Sequence, residues 1–106
     1  MSSMAYRVIF EDEFQNKLKS ILNFYISEYY NNDYANKIVN LIYQNVVERI
    51  ETNPYLYPAV LGKKNIRKAI IIDIGYKLYY VVDEIEKIIY VFDIESFKEN
   101  HIRDAK

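Results

Sequence analysis

The sequence predicts an α+β domain with the order β-α-α-β-β-β, in which a helical hairpin packs on a small, mainly antiparallel four-stranded sheet. Two observations predict it. Apolar residues recur at helical spacing through the first half of the 106-residue chain, and three β-branched and aromatic runs with short polar turns come after them. Helices in one run and strands in another favour α+β over alternating α/β. A chain of this length is expected to form one domain, residues 1–106.

The first predicted elements are a short strand and a helix. Residues 1–5 are expected to be disordered. Tyr6–Phe10 is short and β-prone, and the acidic residues after it favour a helix N-terminus. One helical stripe then contains Phe14, Leu18, Ile21, Leu22, Tyr25 and Tyr29. Lys17 lies on the other side of this predicted helix.

A second helix follows a polar break, and Asp33 is its expected N-cap. Its main apolar stripe contains Ala35, Ile38, Leu41, Ile42, Val46 and Ile50. Pro54 disfavours helix at the preceding residue, so the helix should end near Asn53. The short connection between the helices predicts an antiparallel hairpin.

Three further strands are expected at Asn65–Ile72, Tyr76–Val82 and Lys87–Ile94, followed by a polar tail over residues 95–106. Their connections are too short for a parallel crossover, so the strands must be antiparallel neighbours. Side chains alternate along a strand, and we expect one face of each to cover the helices. The apolar faces are, strand by strand, Ile66, Ile70 and Ile72; Tyr76, Leu78, Tyr80 and Val82; and Ile88, Tyr90, Phe92 and Ile94.

Composition excludes several kinds of function. The chain has no cysteine, which excludes disulfides, thiolate catalysis and cysteine-based zinc sites. Its net charge of −1 is not that of a general nucleic-acid binder. The sequence has no metal-ligand spacing, nucleophile motif or glycine-rich phosphate loop, so no metal or cofactor is expected. It has no apolar run typical of a signal peptide or membrane span, so we expect a cytoplasmic protein without a membrane partner.

Positive charge is concentrated between Val60 and Tyr80, where five basic residues stand against one acidic residue. The basic residues are Lys63, Lys64, Arg67, Lys68 and Lys77. They could bind phosphate or an acidic protein segment, or they could guard a sheet edge against aggregation. Strand alternation places Arg67 and Lys77 on the free face of the sheet, where Tyr79 could stack on a base. These six residues are the candidates for binding a target or partner.

The element order and several motifs resemble the RelE/ParE superfamily of toxins from bacterial and archaeal toxin–antitoxin modules. The resemblance runs from Tyr6 to about Asn100. Its most specific part is Ile66-Arg67-Lys68 and then Gly75-Tyr-Lys-Leu-Tyr-Tyr-Val-Val-Asp-Glu84. The family has an Ile-Arg-Lys-like element, a tight turn, a Tyr-Arg-x-x-Tyr-x-Val strand and an acidic turn, and Lys77 takes the arginine's place. The resemblance implies a type II toxin that forms a hetero-oligomer with a cognate antitoxin.

Three functions stay open under this resemblance. A RelE-like endoribonuclease would cleave messenger RNA on the ribosome, without a metal, using Arg67, Lys77 and Lys98. A ParE-like toxin would act on DNA gyrase without cleaving RNA, and an inactive toxin fold would leave a binding module.

We predict a ParE-like growth inhibitor, of the kind linked to plasmid stabilisation, for two reasons. Many relatives carry a His-x-Arg-Arg-like element where this chain has Glu95–Asn100, which keeps only Lys98 as a basic residue. The pI of about 5.8 is also low for a protein that holds messenger RNA.

Overall fold

The structure, a computed structural model, describes residues 5–97 except for the side chain of Lys64. The helical elements are α1 (Asp12–Tyr29), α2 (Asn32–Ile42), a π-helical turn (Tyr43–Val47) and α3 (Glu48–Thr52). The strands are β1 (Arg7–Phe10), β2 (Ala59–Val60), β3 (Lys63–Ile71), β4 (Tyr76–Asp83) and β5 (Ile88–Ser96). The predicted α+β class is confirmed.

The five described strands form one mixed sheet in the order β1-β5-β4-β3-β2, so the predicted four-stranded sheet needs correction. β1 pairs with β5 in parallel, and the other neighbours are antiparallel. β1 can be parallel because the whole helical hairpin separates it from the other strands. β2 was missed because two residues are too short to show an alternating pattern.

The helix boundaries follow from local capping. Tyr30 has a left-handed backbone with φ of 51°, and its N–H donates to the Tyr25 carbonyl at the end of α1. Asn31, not the predicted Asp33, is the N-cap of α2, since its side chain accepts a 3.0 Å hydrogen bond from the Tyr34 N–H. Asp33 lies in the first turn, where a negative charge is favourable. The predicted end at Asn53 is confirmed.

The helices cover one face of the sheet, which we call the covered face; the opposite face is the free face. The buried helical side chains are Phe14, Ala35, Ile38, Ile42, Val46, Val47 and Ile50. Only Phe14 among them comes from α1, and Tyr29 at the far end of its apolar stripe is 61% exposed. The segment from α2 to α3 therefore contributes most of the helical side of the core.

The pairing of β3 with β4 decides which side chains enter the core. Ala69 pairs with Leu78, and both are fully buried on the covered face. Ile70 and Ile72, which alternation had placed in the core, are 49% and 79% exposed, so the prediction for this strand is wrong. The turn at residues 72–75 sets the register, and a shift of one residue exchanges the two faces of a strand.

The predicted inner face of β4 is confirmed, whereas β5 changes face at a β-bulge. Tyr79 and Tyr80 are consecutive, but they pair with Asp93 and Val91, so Phe92 is an extra residue. The buried residues of β5 are Ile89, Val91 and Ile94. Of the residues predicted for the inner face of β5, only Ile94, which follows the bulge, is buried. The bulge also turns the two acidic neighbours of Ile94 away from the core.

Candidate functional site

Three side chains on β4 and β5 form a polar group on the free face: Lys77, Tyr79 and Glu95, which we call the free-face cluster. Lys77 lies opposite Glu95, and Nζ is 3.7 Å from Oε1. The Tyr79 hydroxyl donates a 3.1 Å hydrogen bond to the same oxygen. The side chains of Lys77 and Glu95 are 21% and 45% exposed, so this long ion pair is open to water and weak.

Tyr79 supplies both a hydroxyl donor and an aromatic ring. Burial raises the pKa of Tyr79 to about 12, and the hydrogen bond to the Glu95 carboxylate acts in the same direction. The hydroxyl is therefore protonated at neutral pH. The ring lies 6.3 Å from that of Phe92, with an angle of 31° between them. Aromatic rings of this kind can stack on unpaired bases.

A further cation of the basic stretch lies beside this cluster. Lys68 pairs directly with Tyr79 across β3 and β4, so it shares the free face with Lys77. Ile70 lies beside Lys68 on that face, opposite Lys77. The structure thus brings together Lys68, Lys77 and Tyr79, three of the six predicted binding residues.

Sequence reasoning missed a lysine that reaches the same region from α1. Lys17 Nζ lies 2.7 Å from Asp93 Oδ1, and this hydrogen bond is the main reason that the pKa of Lys17 is raised. The positive charge of Lys17 offsets the negative charge of the Asp93 carboxylate. Their contact depends on the bulge at Phe92, which no sequence pattern indicates, and a charged residue outside the apolar stripe is ordinarily interpreted as solvent-exposed.

An open cleft of about 390 Å³ adjoins the free-face cluster, between α1 and the end of β5. Its lining residues are Lys17, Ser20, Ile21, Tyr76, Ile94, Glu95 and Ser96. The volume lies within the usual range of small-molecule pockets. Glu95 therefore borders both the free face and this cleft.

Arg67 does not lie beside Lys77, and the predicted placement is wrong. It pairs with the buried Tyr80, which puts its side chain on the covered face. Its Nη1 donates a 2.6 Å hydrogen bond to the Tyr57 carbonyl, and its guanidinium carbon lies 4.8 Å from the centre of the Tyr55 ring. A guanidinium held by a carbonyl and an aromatic face supports the fold.

These contacts belong to a clamp that fastens the connector between α3 and β2. The Tyr57 hydroxyl donates a 2.8 Å hydrogen bond to the Asn45 carbonyl in the π-helical turn. The Tyr80 hydroxyl donates a 2.8 Å hydrogen bond to the Pro54 carbonyl, and burial is the main cause that raises the pKa of Tyr80 to about 12. We call Arg67, Tyr57 and Tyr80 the connector clamp.

A second polar group joins the start of β1 to the turn between β4 and β5. The Tyr6 hydroxyl lies 2.9 Å from both oxygens of Glu84, and Lys87 Nζ lies 3.1 Å from Oε1. The Tyr55 hydroxyl also donates to this carboxylate. The hydrogen bond from Tyr6, followed by that from Lys87, lowers the pKa of Glu84. The carboxylate is already engaged by three side chains, so this group is structural.

The other residues predicted for the site are Lys63, Lys64 and Lys98. Lys63 is exposed at the start of β3, where it pairs with Val60. The Lys64 side chain and Lys98 lie outside the described part of the chain. Within residues 5–97, no group of three or more acidic, histidine or cysteine side chains is arranged to hold a metal ion. No described helix is both long and apolar enough to cross a bilayer.

No protein-family model matches the chain, and no curated protein matches it in sequence. The fold, however, matches solved structures. One is an arginine-to-alanine double mutant of the E. coli toxin RelE in complex with an antitoxin RelBc peptide, with a TM-score of 0.50, 16% identity and 97% of each chain covered. The same mutant in the free state has a TM-score of 0.49 and 18% identity, covering 95% of this chain and 93% of that one.

The archaeal RelE–RelB complex from Pyrococcus horikoshii has a TM-score of 0.42 and 13% identity, with 88% of this chain and 96% of that chain covered. The likeness to the antitoxin-bound E. coli toxin establishes the architecture. The chain has the RelE toxin fold. The preference for a ParE-like protein over a RelE-like one is not supported, because the matching structure is a RelE toxin.

Proposed function

We propose that the protein is the toxin of a type II toxin–antitoxin module, and that it cleaves messenger RNA on the ribosome as RelE-like toxins do. The observation that carries the proposal is the fold, which spans 97% of both chains in the comparison with antitoxin-bound RelE. Fold alone does not specify function, so the site must supply the chemistry.

Cleavage of RNA without a metal needs three things: a proton acceptor for the 2′-hydroxyl, stabilisation of charge at phosphorus, and a proton donor for the leaving oxygen. The ammonium groups of Lys68 and Lys77 suit the second task because both residues lie on the free face, and the contact of Lys77 with Glu95 is long, at 3.7 Å. The Tyr79 ring offers a surface on which a nucleobase of the RNA can stack. Lys98 stays a candidate catalytic residue, whereas Arg67 is assigned to the connector clamp.

The proposed partner is a cognate antitoxin protein, in a hetero-oligomer with this chain. The related E. coli toxin was solved with an antitoxin peptide. Lys63, Lys68 and Lys77 are basic residues that an acidic antitoxin segment could contact. Co-expression of the neighbouring open reading frame should restore growth and yield a complex that copurifies. A neighbour that neither restores growth nor copurifies would count against this partner.

A second candidate function is a toxin fold that does not cleave RNA, either a ParE-like gyrase inhibitor or an inactive binding module. Asp93 and Glu95 favour it, since two carboxylates beside the free face oppose the approach of RNA phosphates. Lys17 pairs closely with Asp93, at 2.7 Å, whereas the Lys77 ammonium is 3.7 Å from Glu95 and offsets its charge less.

Inducible expression in a bacterial host, with analysis of growth, total RNA and plasmid topology, separates these functions. Wild type should arrest growth and cut messages. Lys68→Ala combined with Lys77→Ala should reduce cleavage by about 100-fold, because both phosphate-stabilising charges are lost. The matched control is Lys19→Ala with Lys37→Ala, which removes two exposed helical lysines away from the cluster.

The other outcomes are equally distinct. Growth arrest with intact messages and altered supercoiling would replace the proposal by the ParE-like candidate. The absence of arrest, with the protein folded and expressed, would leave the inactive binding module.

A further inference from the structure

We infer that Glu95 is the catalytic residue that accepts the 2′-hydroxyl proton during RNA cleavage, a role that rests on the ribonuclease function proposed above. The stretch around Glu95 gave no positive signal in the sequence. The register of β4 and β5 places the Glu95 carboxylate next to the Lys77 ammonium, the Tyr79 hydroxyl and an open cleft.

The Glu95 carboxylate is held from one side and is exposed to solvent. Within the described residues, Tyr79 and Lys77 both approach Oε1, at 3.1 Å and 3.7 Å. The hydroxyl of Tyr79 orients the carboxylate. The Glu95 side chain is 45% exposed and also lines the cleft, so solvent and substrate can reach it. A proton acceptor must be held in place and yet be reached by the proton that it removes, and Glu95 meets both conditions.

The neighbouring groups in the described structure are poorly suited to this task. Asp93 is 25% exposed, and its Oδ1 lies 2.7 Å from Lys17 Nζ and accepts a 2.8 Å hydrogen bond from the Ile94 N–H, so it is less exposed and more tightly paired than Glu95. Tyr79, with its raised pKa, holds its proton at neutral pH. The lysines are cations with no lone pair to offer. Of the two carboxylates, Glu95 is the more exposed, at 45%, and the less tightly paired, at 3.7 Å from its lysine.

Lys77, the ion-pair partner of Glu95, supplies the proton that the leaving oxygen takes. The 2′-hydroxyl gives its proton to Glu95 while the 2′-oxygen bonds to phosphorus. The bond between phosphorus and the 5′-oxygen breaks, and that oxygen takes a proton from the Lys77 ammonium. The products are a 2′,3′-cyclic phosphate and a 5′-hydroxyl end. Since 3.7 Å separates Nζ from Oε1, the proton on Glu95 can then return to Lys77, directly or through one water, and restore both groups.

The charged groups around the carboxylate offset its repulsion of RNA. Glu95 faces Lys77 and Tyr79 from β4, Asp93 from its own strand, and Lys17 from α1. Two ammonium groups thus surround two carboxylates. An RNA phosphate that binds Lys77 brings the ribose close to Glu95 without placing two unscreened negative charges together.

Single-turnover cleavage of messenger RNA on programmed ribosomes, with the full-length chain, tests this assignment. Glu95→Gln keeps the size of the side chain but removes the proton acceptor, and it should slow cleavage by about 100-fold with little change in ribosome binding. The fall in rate at acidic pH that a carboxylate base causes should also disappear in this variant. Glu95→Asp should retain part of the rate and keep the acidic limb.

The matched control is Glu86→Gln, which removes an exposed carboxylate in the turn between β4 and β5 and should cleave like wild type. Equal denaturation midpoints for all variants would exclude unfolding as the cause. If Glu95→Gln cleaves as fast as wild type or faster, the carboxylate only masks Lys77 and the inference fails while the ribonuclease function stands. If wild type itself does not cleave, the proposed function fails and the inference fails with it.

Discussion

Arg67 and Lys77 are both cations of the same basic stretch, yet they lie on opposite faces of the sheet and make different contacts. On the covered face, the Arg67 guanidinium is held by the Tyr57 carbonyl and the Tyr55 ring. On the free face, Lys77 Nζ lies 3.7 Å from Glu95 Oε1, a long ion pair whose carboxylate partner is 45% exposed. A cation that contacts the main chain and a ring of its own fold stabilises that fold, and one that has a weak, solvent-exposed partner can bind a phosphate.

Tyr79 and Tyr80 repeat this contrast between adjacent residues. Burial raises the pKa of each to about 12. The Tyr80 hydroxyl donates to a main-chain carbonyl, which carries no net charge, whereas the Tyr79 hydroxyl donates to the ionisable Glu95. Burial is the main cause of both raised pKa values; the Glu95 carboxylate raises the pKa of Tyr79 further, whereas the charge of Arg67 acts to lower that of Tyr80.

The largest difference between the two faces should be in the free energy of unfolding that is lost when a side chain is truncated. Leu78→Ala should lower the free energy of unfolding by about 2–5 kcal/mol, because Leu78 is fully buried and its truncation leaves a cavity. Lys77→Ala, one residue away on the free face, should change it by less than about 0.5 kcal/mol. Urea denaturation followed by circular dichroism measures both. Equal costs for the two variants would contradict the assignment of the faces.

Loss of the Arg67 side chain should have an intermediate effect. Arg67→Ala removes the hydrogen bond to the Tyr57 carbonyl and the stack on Tyr55, and should cost about 1–3 kcal/mol. The variant should retain cleavage under conditions in which it is folded, whereas Lys77→Ala should lose cleavage while staying stable. Urea denaturation and RNA cleavage, measured on the same preparations, check this crossed pattern. A stable Arg67→Ala protein without activity would return Arg67 to the catalytic site.

The smallest effect should be a difference in alkaline titration. Because folding raises the pKa of Tyr79 and Tyr80 from 10.0 to about 12, the stability that each contributes is complete below pH 10 and is lost as the pH rises towards 12. Glu95→Gln should lower the pKa of Tyr79, since the charged acceptor is gone, and leave that of Tyr80 unchanged.

Ultraviolet absorbance of tyrosinate reports this titration. Tyr79→Phe and Tyr80→Phe should each remove one late-titrating group, which assigns the two transitions. If Glu95→Gln leaves both transitions in place, the contact between Tyr79 and Glu95 does not persist in solution.

Local patterns predicted the secondary structure well. The apolar stripe of the second helix, the end of that helix before Pro54, and the inner face of β4 all follow from spacing within one element. These features depend on residues that are close in sequence, so the order of amino acids contains the information.

The candidate site was predicted only in part. Lys68, Lys77 and Tyr79 were named and do share the free face, but Arg67 was assigned to the wrong face, and neither Lys17 nor Glu95 was recognised. Each miss involves a relation between elements. Arg67 was misplaced because the register of β3 against β4 was unknown.

By itself, the sequence determined the α+β class, the order of the helices and the main strands, and the chemical types of the side chains. The tertiary structure alone decided the face of Arg67, the bulge at Phe92, and the approach of Lys17 to Asp93 and of Lys77 to Glu95. Alternation along a strand has a period of two, so a one-residue change in the turn at residues 72–75 or a one-residue bulge exchanges the faces of the adjoining strand residues. Only packing against the helices selects between the two arrangements.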